Sequence, residues 1–422
     1  MGGGRSSVRA FGDRFFSALQ YREFRTLWSA NASAQAAAWA LIVIRGWLIF
    51  EETDSSFWVG FATFAAMGPQ FLVPPVIGVL ADRIDRRTIL VWTYTINFVQ
   101  AVALFAFAVS GMLGVGLIVA FSLINGIARA AQLPTSQAMA ASLVPRESLL
   151  QALSLNASTQ HGSRLIGPGL VTPLLSIAGA PAAFFLCIVL YGIGLWQIRT
   201  LTPRKPAAAP SEGLIANFMG GLSYVYVRPV LRFMIMLAIF HCGLTMAFES
   251  LLPAFAVEEL GMHTSGFGTL MLGVGLGSFI SSVLISGVRT SRARGNTLIA
   301  MGLLSGLGQV VLALTGTIWL ALAAAALMGG AQAAFMTMAQ ALTQSIATDE
   351  YRGRVASINS FSLGGMMAIM NLLNGSLDTY FGASRLLFWE GMVFVVIVLL
   401  SLLAVTGRRV YGREPVLEAQ AA

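Results

Sequence analysis

The stretch Gly78-Val79-Leu80-Ala81-Asp82-Arg83-Ile84-Asp85-Arg86-Arg87 decides how the rest of the chain must fold. Five of its last six residues are ionisable, and about twenty apolar residues stand on each side of it. A short charged turn of this kind must lie in water while its neighbours lie in lipid. Alone, the turn could be only a basic anchor at a membrane surface, so the flanking sequence decides its meaning.

The composition indicates the class of protein. Of 422 residues, 56% are hydrophobic and 10% are charged, whereas about 25% are charged in a typical soluble domain. We therefore predict a polytopic membrane protein, and the net charge of +8 does not indicate nucleic-acid binding. Cys187 and Cys242 lie in apolar segments, so no disulfide framework is expected. Residues 1–25 carry arginines but no short apolar core, and no removable signal peptide is expected.

Apolar stretches of membrane-spanning length recur along the chain. A helix needs about 20 apolar residues to cross a bilayer, and helix is required because lipid offers no partner for a backbone N–H group. We predict twelve spans, at about residues 26–50, 57–80, 89–111, 115–142, 151–178, 182–198, 229–256, 265–287, 297–315, 318–345, 355–379 and 386–406.

The basic residues predict the orientation of these spans. All but four of the 26 basic residues lie in the tails and in the loops on one side; the exceptions are Arg45, Arg129, Arg164 and Arg385. The opposite loops are short and acidic or neutral, as at residues 51–54 and 258–259. The positive-inside rule therefore predicts that both termini are cytoplasmic.

The longest connection divides six spans from six. Within it, Leu214, Phe218 and Leu222 have helical spacing, which favours an amphipathic helix on the inner surface over a flexible tether. We predict a cytoplasmic N-terminal segment, an N-terminal six-helix bundle, a cytoplasmic linker, a C-terminal six-helix bundle and a cytoplasmic tail, at residues 1–25, 26–199, 200–228, 229–406 and 407–422.

The two halves repeat in sequence at a shift of 203 residues. Without a gap, the shift aligns Gln137 with Gln340 and Asn156 with Asn359, and ten of the 31 positions from 126 to 156 are identical. Paired polar residues are harder to attribute to low complexity than paired alanines. A parallel repeat of two six-helix halves is one of the architectures of secondary transporters.

The motifs in both halves resemble one transporter family. The pattern Gly-x-Leu-Ala-Asp-Arg-x-x-Arg-Arg at 78–87 resembles the loop signature between the second and third helices of the major facilitator superfamily, although Asp85 stands where that superfamily usually has Gly. Its Asp-Arg-x-Asp-Arg-Arg form, and the turn at 352–354, are similar to a branch of bacterial exporters that includes the enterobactin exporter. The resemblance implies an all-α membrane protein of twelve transmembrane helices in two six-helix halves, located in the bacterial inner membrane.

The resemblance also implies a role for the charged turn. In that family the Asp of this loop belongs to a network across the two halves that holds the outward-open state. By position this role is carried over to Asp82, with Gly78 allowing close approach and Arg83, Arg86 and Arg87 at the inner surface.

Polar residues inside the spans mark the expected substrate path. A charge at mid-bilayer costs at least about 2.5–3.5 kcal/mol, so Arg129 and Arg164, both near the middle of their spans, should face a wet cavity or a partner. Arg45 lies closer to the end of its span, where it could either line the path or snorkel outward. Guanidinium groups favour an anionic or acceptor-rich substrate. The predicted cavity residues are Asn31, Gln35, Arg45, Asn125, Arg129, Gln132, Asn156, Gln160, Arg164, His241, Gln340 and Asn359.

Proton coupling requires a group that can exchange a proton inside the membrane. Glu249 is the predicted carrier, although it could merely lie at the outer interface, and His161 is the other titratable candidate. On a continuous helix His241 would share a face with Glu249. Asp378 and Glu390 flank a short outer loop and are expected to be interfacial.

Gly167-Pro168 is similar to the core of the antiporter signature of the superfamily. Val171-Thr172 stand where Gly-Gly would follow, so a packing kink is the preferred interpretation.

We predict a proton-coupled secondary transporter that works by alternating access, and the resemblance to the exporter branch implies export of a small molecule. The alternatives are a proton-coupled nutrient importer or, from another class, a membrane enzyme or sensor. No metal-ligand spacing, Gly-x-x-x-x-Gly-Lys-Ser/Thr run or nucleophile–base pair occurs in the sequence, so an enzyme is not expected and no cofactor is implied. The expected partners are a small-molecule substrate, protons and the lipid bilayer, with no nucleic acid, and the chain is expected to act as a monomer.

Overall fold

The chain is α-helical over nearly all of the residues described by its computed structural model, which are 17–71, 73, 77, 84–145, 148–203, 214–285, 291–348 and 350–411. After a short 3-10 turn at Ser17–Gln20, the helices are α1 (Arg22–Thr53), α2 (Ser56–Met67), α3 (Arg86–Val109), α4 (Val115–Ser142), α5 (Leu149–Arg199), α6 (Leu214–Tyr226), α7 (Pro229–Thr245), α8 (Leu252–Glu258), α9 (Gly266–Ile285), α10 (Ser291–Ala313), α11 (Ile318–Ile346), α12 (Arg352–Phe381), α13 (Ala383–Leu403) and α14 (Val405–Val410).

Within these ranges, nine helices are long and apolar enough to cross a membrane, or ten if α7 is counted with the bent segment before it. The helix α5 covers two predicted spans, because its 51 residues would extend about 75 Å. Gly179 breaks it with a φ of 72°, a value that glycine adopts readily. The second span is described only in part, as α2, and the seventh consists of α7 and α8. Each of the twelve predicted spans thus contains helix, and the predicted fold class is confirmed.

The predicted helix in the central connection is present as α6. It makes an angle of 105° with α7. The ring of Tyr224 stacks on Tyr351 with centroids 4.1 Å apart, and its hydroxyl accepts a hydrogen bond from the Thr348 N–H group at 3.1 Å. These contacts attach α6 to the segment before α12, so this part of the connection is not a flexible tether. Its position on the inner membrane surface stays a prediction.

The helix ends carry opposite charge. At the end where α1 and α3 begin, here named the basic end, lie Arg22 and Arg86. At the opposite, acidic end, a cavity of about 510 Å³ is lined by Asp54, Glu258, Glu259, Asp378 and other residues. Burial, and then the carboxylates of Asp378, Asp54 and Glu259, raise the pKa of Glu258. Which side of the membrane each end faces stays a prediction.

The described part of the charged turn ties three helices together. Asp85 is the N-cap of α3, and its carboxylate accepts a hydrogen bond from the Thr88 N–H group at 3.3 Å. Arg86 donates to the Ala138 carbonyl of α4 at 3.0 Å, and Arg87 donates to the Arg199 carbonyl at the end of α5 at 2.6 Å. The Asp that departs from the family pattern therefore has a structural use. Gly78, Asp82 and Arg83 lie outside the described residues.

The two halves meet chiefly where α2 packs on α12 and α5 packs on α9. At the acidic end the backbones of α2 and α12 touch, because a methyl group on Gly60 would overlap the Asn371 carbonyl and one on Gly375 would overlap the Ser56 carbonyl. Gly275 of α9 likewise leaves no room beside the backbone of Arg164. Glycines in these positions allow close helix packing in lipid.

Candidate functional site

The seventh span is broken in its acidic half. The helix α7 ends at Thr245 and α8 begins at Leu252, with six non-helical residues between them. The sequence predicted one span over residues 229–256, so the break was not expected. Glu249 lies within it and is only 2% exposed. The carboxyl group is therefore buried and not at an interface with water.

Three arginines of the N-terminal half surround Glu249; Arg45, Arg129 and Arg164 are named the arginine cluster below. The three guanidinium groups act electrostatically on the Glu249 carboxyl group. Arg45, Arg129 and Glu249 line one cavity of about 30 Å³, which is large enough for a water molecule. Opposite charges from the two halves therefore meet at this point.

Arg164 also lies between two aromatic rings. Its guanidinium carbon is 5.0 Å from the centroid of Trp39 on α1 and 5.9 Å from that of Phe248, which lies in the break beside Glu249. Both distances are within the range of cation–π attraction. The break thus presents an aromatic ring as well as a carboxyl group to the N-terminal half.

Arg45 does not extend toward the acidic end. Its side chain is 5% exposed, and its Nε group donates to the Leu41 carbonyl at 3.1 Å, one turn back along α1. The snorkelling alternative is therefore wrong in this conformation. The side chain lies inside the protein, on the cavity that it shares with Glu249.

Predicted polar residues of the N-terminal half form a buried network. Asn31 donates to Ser136 Oγ at 2.6 Å and to Asn156 Oδ1 at 3.4 Å, which joins α1, α4 and α5. Arg129 donates to Gln35 Oε1 at 3.4 Å. The helical faces predicted from spacing thus bring these residues together.

Three members of this network were not predicted. Tyr94 donates from its hydroxyl to Asn31 Oδ1 at 3.0 Å, and Asn97 accepts from Asn125 Nδ2 at 2.9 Å. The Asn125 amide also donates to the hydroxyl of Tyr191 at 3.5 Å. The available signal was the spacing of polar residues on the third span, where positions 93, 97 and 100 share a face.

Toward the basic end a second cavity reaches an exposed side chain. Asn31, Asn156 and Gln160 line a cavity of about 20 Å³, with Gln132 also on its wall, and Gln160 is exposed. In contrast, Arg45, Arg164 and Glu249 are buried nearer the acidic end. The structure is therefore closed between the halves at the acidic end.

The remaining predicted residues do not line the cavities described above. His161 is half-buried on α5 beside Gln160, Gln340 is exposed on α11, and Asn359 is buried on α12. Their part in transport stays a prediction.

Two expectations about the C-terminal half were wrong. His241 does not share a face with Glu249, because the break separates them; its ring stacks on Phe335 at 4.2 Å and its Nε2 atom is 3.1 Å from Ser305 Oγ. Glu390 is not interfacial but buried, and its carboxylate accepts from Gln309 Nε2 at 3.4 Å. The predicted place of His241 on the substrate path stays a prediction.

The fold and the site define an integral membrane transporter. Large apolar side chains cover the outward faces, as at Trp319 and Leu403, and the buried charges of the two halves meet between the bundles. The sequence model of the transmembrane secretion effector family matches residues 14–409, and the chain belongs to this family. Family and fold are therefore those of a transporter and not of an enzyme class.

Similar proteins agree with this assignment. The chain is 24% identical to a staphyloferrin A transporter of Staphylococcus aureus over 150 residues, which are 35% of this chain, and 26% identical to macrolide efflux protein A of Streptococcus pyogenes over 155 residues, which are 37% of it. The match spans 38% of the length of each of these relatives. A structure of a variant of the nucleoside transporter NupG superposes with a TM-score of 0.74 at 11% identity, covering 90% of this chain and 98% of that one.

Proposed function

We propose that this chain exports a small molecule across the bacterial inner membrane by alternating access, in exchange for protons that bind Glu249. The observation that carries the proposal is the burial of Glu249 in the broken span, opposite the arginine cluster. A buried carboxyl group of this kind can be ionised beside guanidinium groups or neutral with a bound proton. A proton-coupled transporter needs a group that changes between these two states during its cycle.

The substrate is a small molecule rich in hydrogen-bond acceptors. The arginine cluster offers planar N–H donors and no acceptors. Relatives named for staphyloferrin A transport and for macrolide efflux support small-molecule transport of this kind. The network residues Asn31, Gln35 and Asn156 supply further amide groups between the arginine cluster and the basic end.

Exchange requires the substrate and the proton to exclude each other. A substrate with one donor or cationic group would pair that group with ionised Glu249 and its acceptors with the arginine cluster. Protonation of Glu249 removes the first of these partners and weakens binding. The substrate is then released on one side of the membrane and the proton on the other.

A proton-coupled importer is the second candidate. It is supported by the charge of the site, where three guanidinium groups face the single carboxylate of Glu249. Protonation of Glu249 leaves the arginine cluster with more uncompensated positive charge. An anionic substrate would then bind together with the proton. That linkage belongs to symport, so the charge of the substrate separates the two candidates.

The orientation belongs to the same proposal. Both termini and the connection at 200–228 lie in the cytoplasm, because the basic end carries most of the arginines. A single chain is the transporting unit. An alkaline phosphatase fusion after Arg409 that is active would contradict this orientation.

The proposal is tested in everted membrane vesicles that contain the full chain. A respiratory proton gradient is followed with an acridine dye, and compounds are taken from a screen for lower cellular accumulation. We expect such a compound to recover the dye fluorescence with the wild-type protein, and Glu249→Gln to abolish the recovery. Asp378→Asn is the control, because it changes a carboxyl group in the acidic-end cavity and not in the cavity that contains Glu249.

Other outcomes separate the alternatives. Unchanged recovery with Glu249→Gln removes Glu249 as the proton-binding group. Compounds that accumulate more in cells expressing the chain, together with acidification of the cytoplasm, indicate import with protons.

A further inference from the structure

The break in the seventh span frees backbone groups that lipid cannot satisfy. Side-chain amides from neighbouring helices bond to them. Gln309 of α10 donates from Nε2 to the Leu244 carbonyl at 3.0 Å, and Gln332 of α11 donates from Nε2 to the Thr245 carbonyl. Both glutamines are fully buried. These two bonds hold the end of α7.

Two asparagines of α12 hold the part of the break that carries Glu249. Asn374 donates from Nδ2 to the Ala247 carbonyl at 2.9 Å, and Asn371 accepts through Oδ1 from the Ser250 N–H group at 3.0 Å. Both asparagines are at most 1% exposed. Their bonds lie on either side of Glu249 in sequence, so they fix the backbone from which its carboxyl group projects.

The same turns of α12 contact the other half of the protein. The backbone carbonyl of Asn371 lies where a methyl group on Gly60 would be, and the Ser56 carbonyl lies against Gly375. Asn371 therefore touches α2 through its main chain and the broken span through its side chain. A rigid helix turn joins the two contacts.

We propose that Asn371 and Asn374 are positioning residues that hold Glu249 against the arginine cluster while α2 and α12 touch, and that carry it away when these helices separate. The inference rests on the proposed function of Glu249. Opening at the acidic end moves α12 away from α2 and, through the two asparagine bonds, withdraws the broken span from the N-terminal half. Glu249 then leaves its guanidinium neighbours and can take a proton.

The charges that face Glu249 agree with this movement. Arg45 of α1, Arg129 of α4 and Arg164 of α5 act on it from the N-terminal half. From α12, the uncharged amides of Asn371 and Asn374 bond to the backbone on either side of it. Separation of the halves therefore changes the charge around Glu249, whereas its hydrogen-bonded support is retained.

The test uses the purified full chain in lipid nanodiscs and dicyclohexylcarbodiimide, which adds to protonated carboxyl groups in apolar surroundings. Modification of Glu249 is measured by mass spectrometry as a function of pH. We expect Asn371→Leu and Asn374→Leu to shift the midpoint of this profile by about one pH unit, the usual size of an environmental effect on a carboxyl group. A merely structural role would lower the yield of folded protein without moving the midpoint.

Gln309→Leu is the matched control. It removes a fully buried amide of α10 that bonds to the broken span at Leu244, farther from Glu249, and also to Leu387 and Glu390 of α13. We expect a shift of less than about 0.3 units for this variant. An equal shift in Gln309→Leu, or an unmoved midpoint in both asparagine variants, would overturn the inference.

Gly60→Ala provides a third variant that leaves the amides in place. Its methyl group presses on the Asn371 carbonyl from the other half, so we expect a shift that does not add to that of Asn371→Leu. If the two midpoint shifts add fully, transmission through Asn371 is contradicted. If Asn371→Leu does not fold, Gly60→Ala is combined with Asn374→Leu and judged in the same way.

The transport assay and the labelling assay test the two proposals separately. If Glu249→Gln still exchanges protons for substrate, the proposed function fails even where the labelling midpoints shift. If that variant loses exchange but the asparagine variants label like the wild type, only the positioning inference fails.

Discussion

The polar interiors of the two halves differ in what their side chains bond to. In the N-terminal half, polar side chains bond to one another, as Tyr94 does to Asn31, and the arginine cluster faces outward from this network. In the C-terminal half, buried amides bond to the backbone of a broken helix, as Asn374 does to Ala247. One half therefore provides positive charge, and the other provides a carboxyl group on a non-helical backbone that is held by amides.

One pair of repeat-related residues makes this difference concrete. Gln332 stands 203 residues after Arg129, within the aligned part of the repeat. Arg129 contacts Gln35 and lines the cavity that contains Glu249, whereas Gln332 is fully buried and donates to the Thr245 carbonyl. The helix α1 is unbroken over 32 residues, so the first half has no equivalent backbone group to satisfy. Residues at equivalent positions of the sequence repeat therefore contact different groups in the two halves.

The largest effect is expected from Arg164→Ala. This substitution removes a buried positive charge that acts on Glu249 together with the contacts to Trp39 and Phe248. We expect the export rate to fall at least about 100-fold, which corresponds to about 2.7 kcal/mol. Export is measured in cells at matched protein level. Arg385→Ala, an exposed arginine at the acidic end, should be neutral. A normal rate with Arg164→Ala would remove the arginine cluster from the mechanism.

The repeat-related pair should separate stability from transport. Gln332→Leu leaves the Thr245 carbonyl unsatisfied and should lower the free energy of unfolding by about 1–3 kcal/mol. Arg129→Gln should change unfolding less but raise KM for the substrate, because it removes a cavity charge. Thermal unfolding in detergent and transport kinetics measure the two. If both variants affect the same quantity, the contrast between the halves is lost.

A smaller effect is expected at the surface of the N-terminal half. Asp85→Ala removes the N-cap of α3 and should cost about 1 kcal/mol, whereas Asp85→Gly, which restores the usual residue of the superfamily, should cost only a few tenths. Thermal unfolding of the two variants measures this difference. Equal costs would show that Asp85 acts other than as a cap.

The smallest effect is expected at Glu258, where both halves contribute carboxylates to the acidic end. Its pKa is raised by burial and by its neighbours, so the ionised form is disfavoured in the folded protein. The resulting penalty is absent below the ordinary pKa of Glu and is fully present above the raised one. Glu258→Gln should therefore raise the unfolding temperature slightly at pH 7 and leave it unchanged at pH 4. A gain at both pH values would exclude titration as its cause.

The charged part of the site was predictable from the sequence. A guanidinium or carboxyl group in mid-membrane is costly without a partner, so Arg129, Arg164 and Glu249 had to lie in a cavity or beside one another. The twelve apolar stretches predicted the helices for the same physical reason, since lipid forces the backbone to satisfy itself.

The break was not predictable from hydropathy. Residues 229–256 remain apolar through it, and the groups that stabilise it are amides on other helices, such as Asn371 and Gln309. An amide in an apolar run carries no sign of whether it bonds to a substrate, to a side chain or to a backbone. The predicted shared face of His241 and Glu249 was wrong because of the break, since helical spacing does not apply across a non-helical segment.

The amide support of the broken span has a consequence for the diversity of related transporters. Among the described residues, the side-chain amides that bond to the backbone of the break belong to the C-terminal half. The surface that the carboxyl group meets belongs to α1, α4 and α5. Under the proposed mechanism, the cargo can change through a few side chains on that surface while the amides that hold Glu249 stay the same.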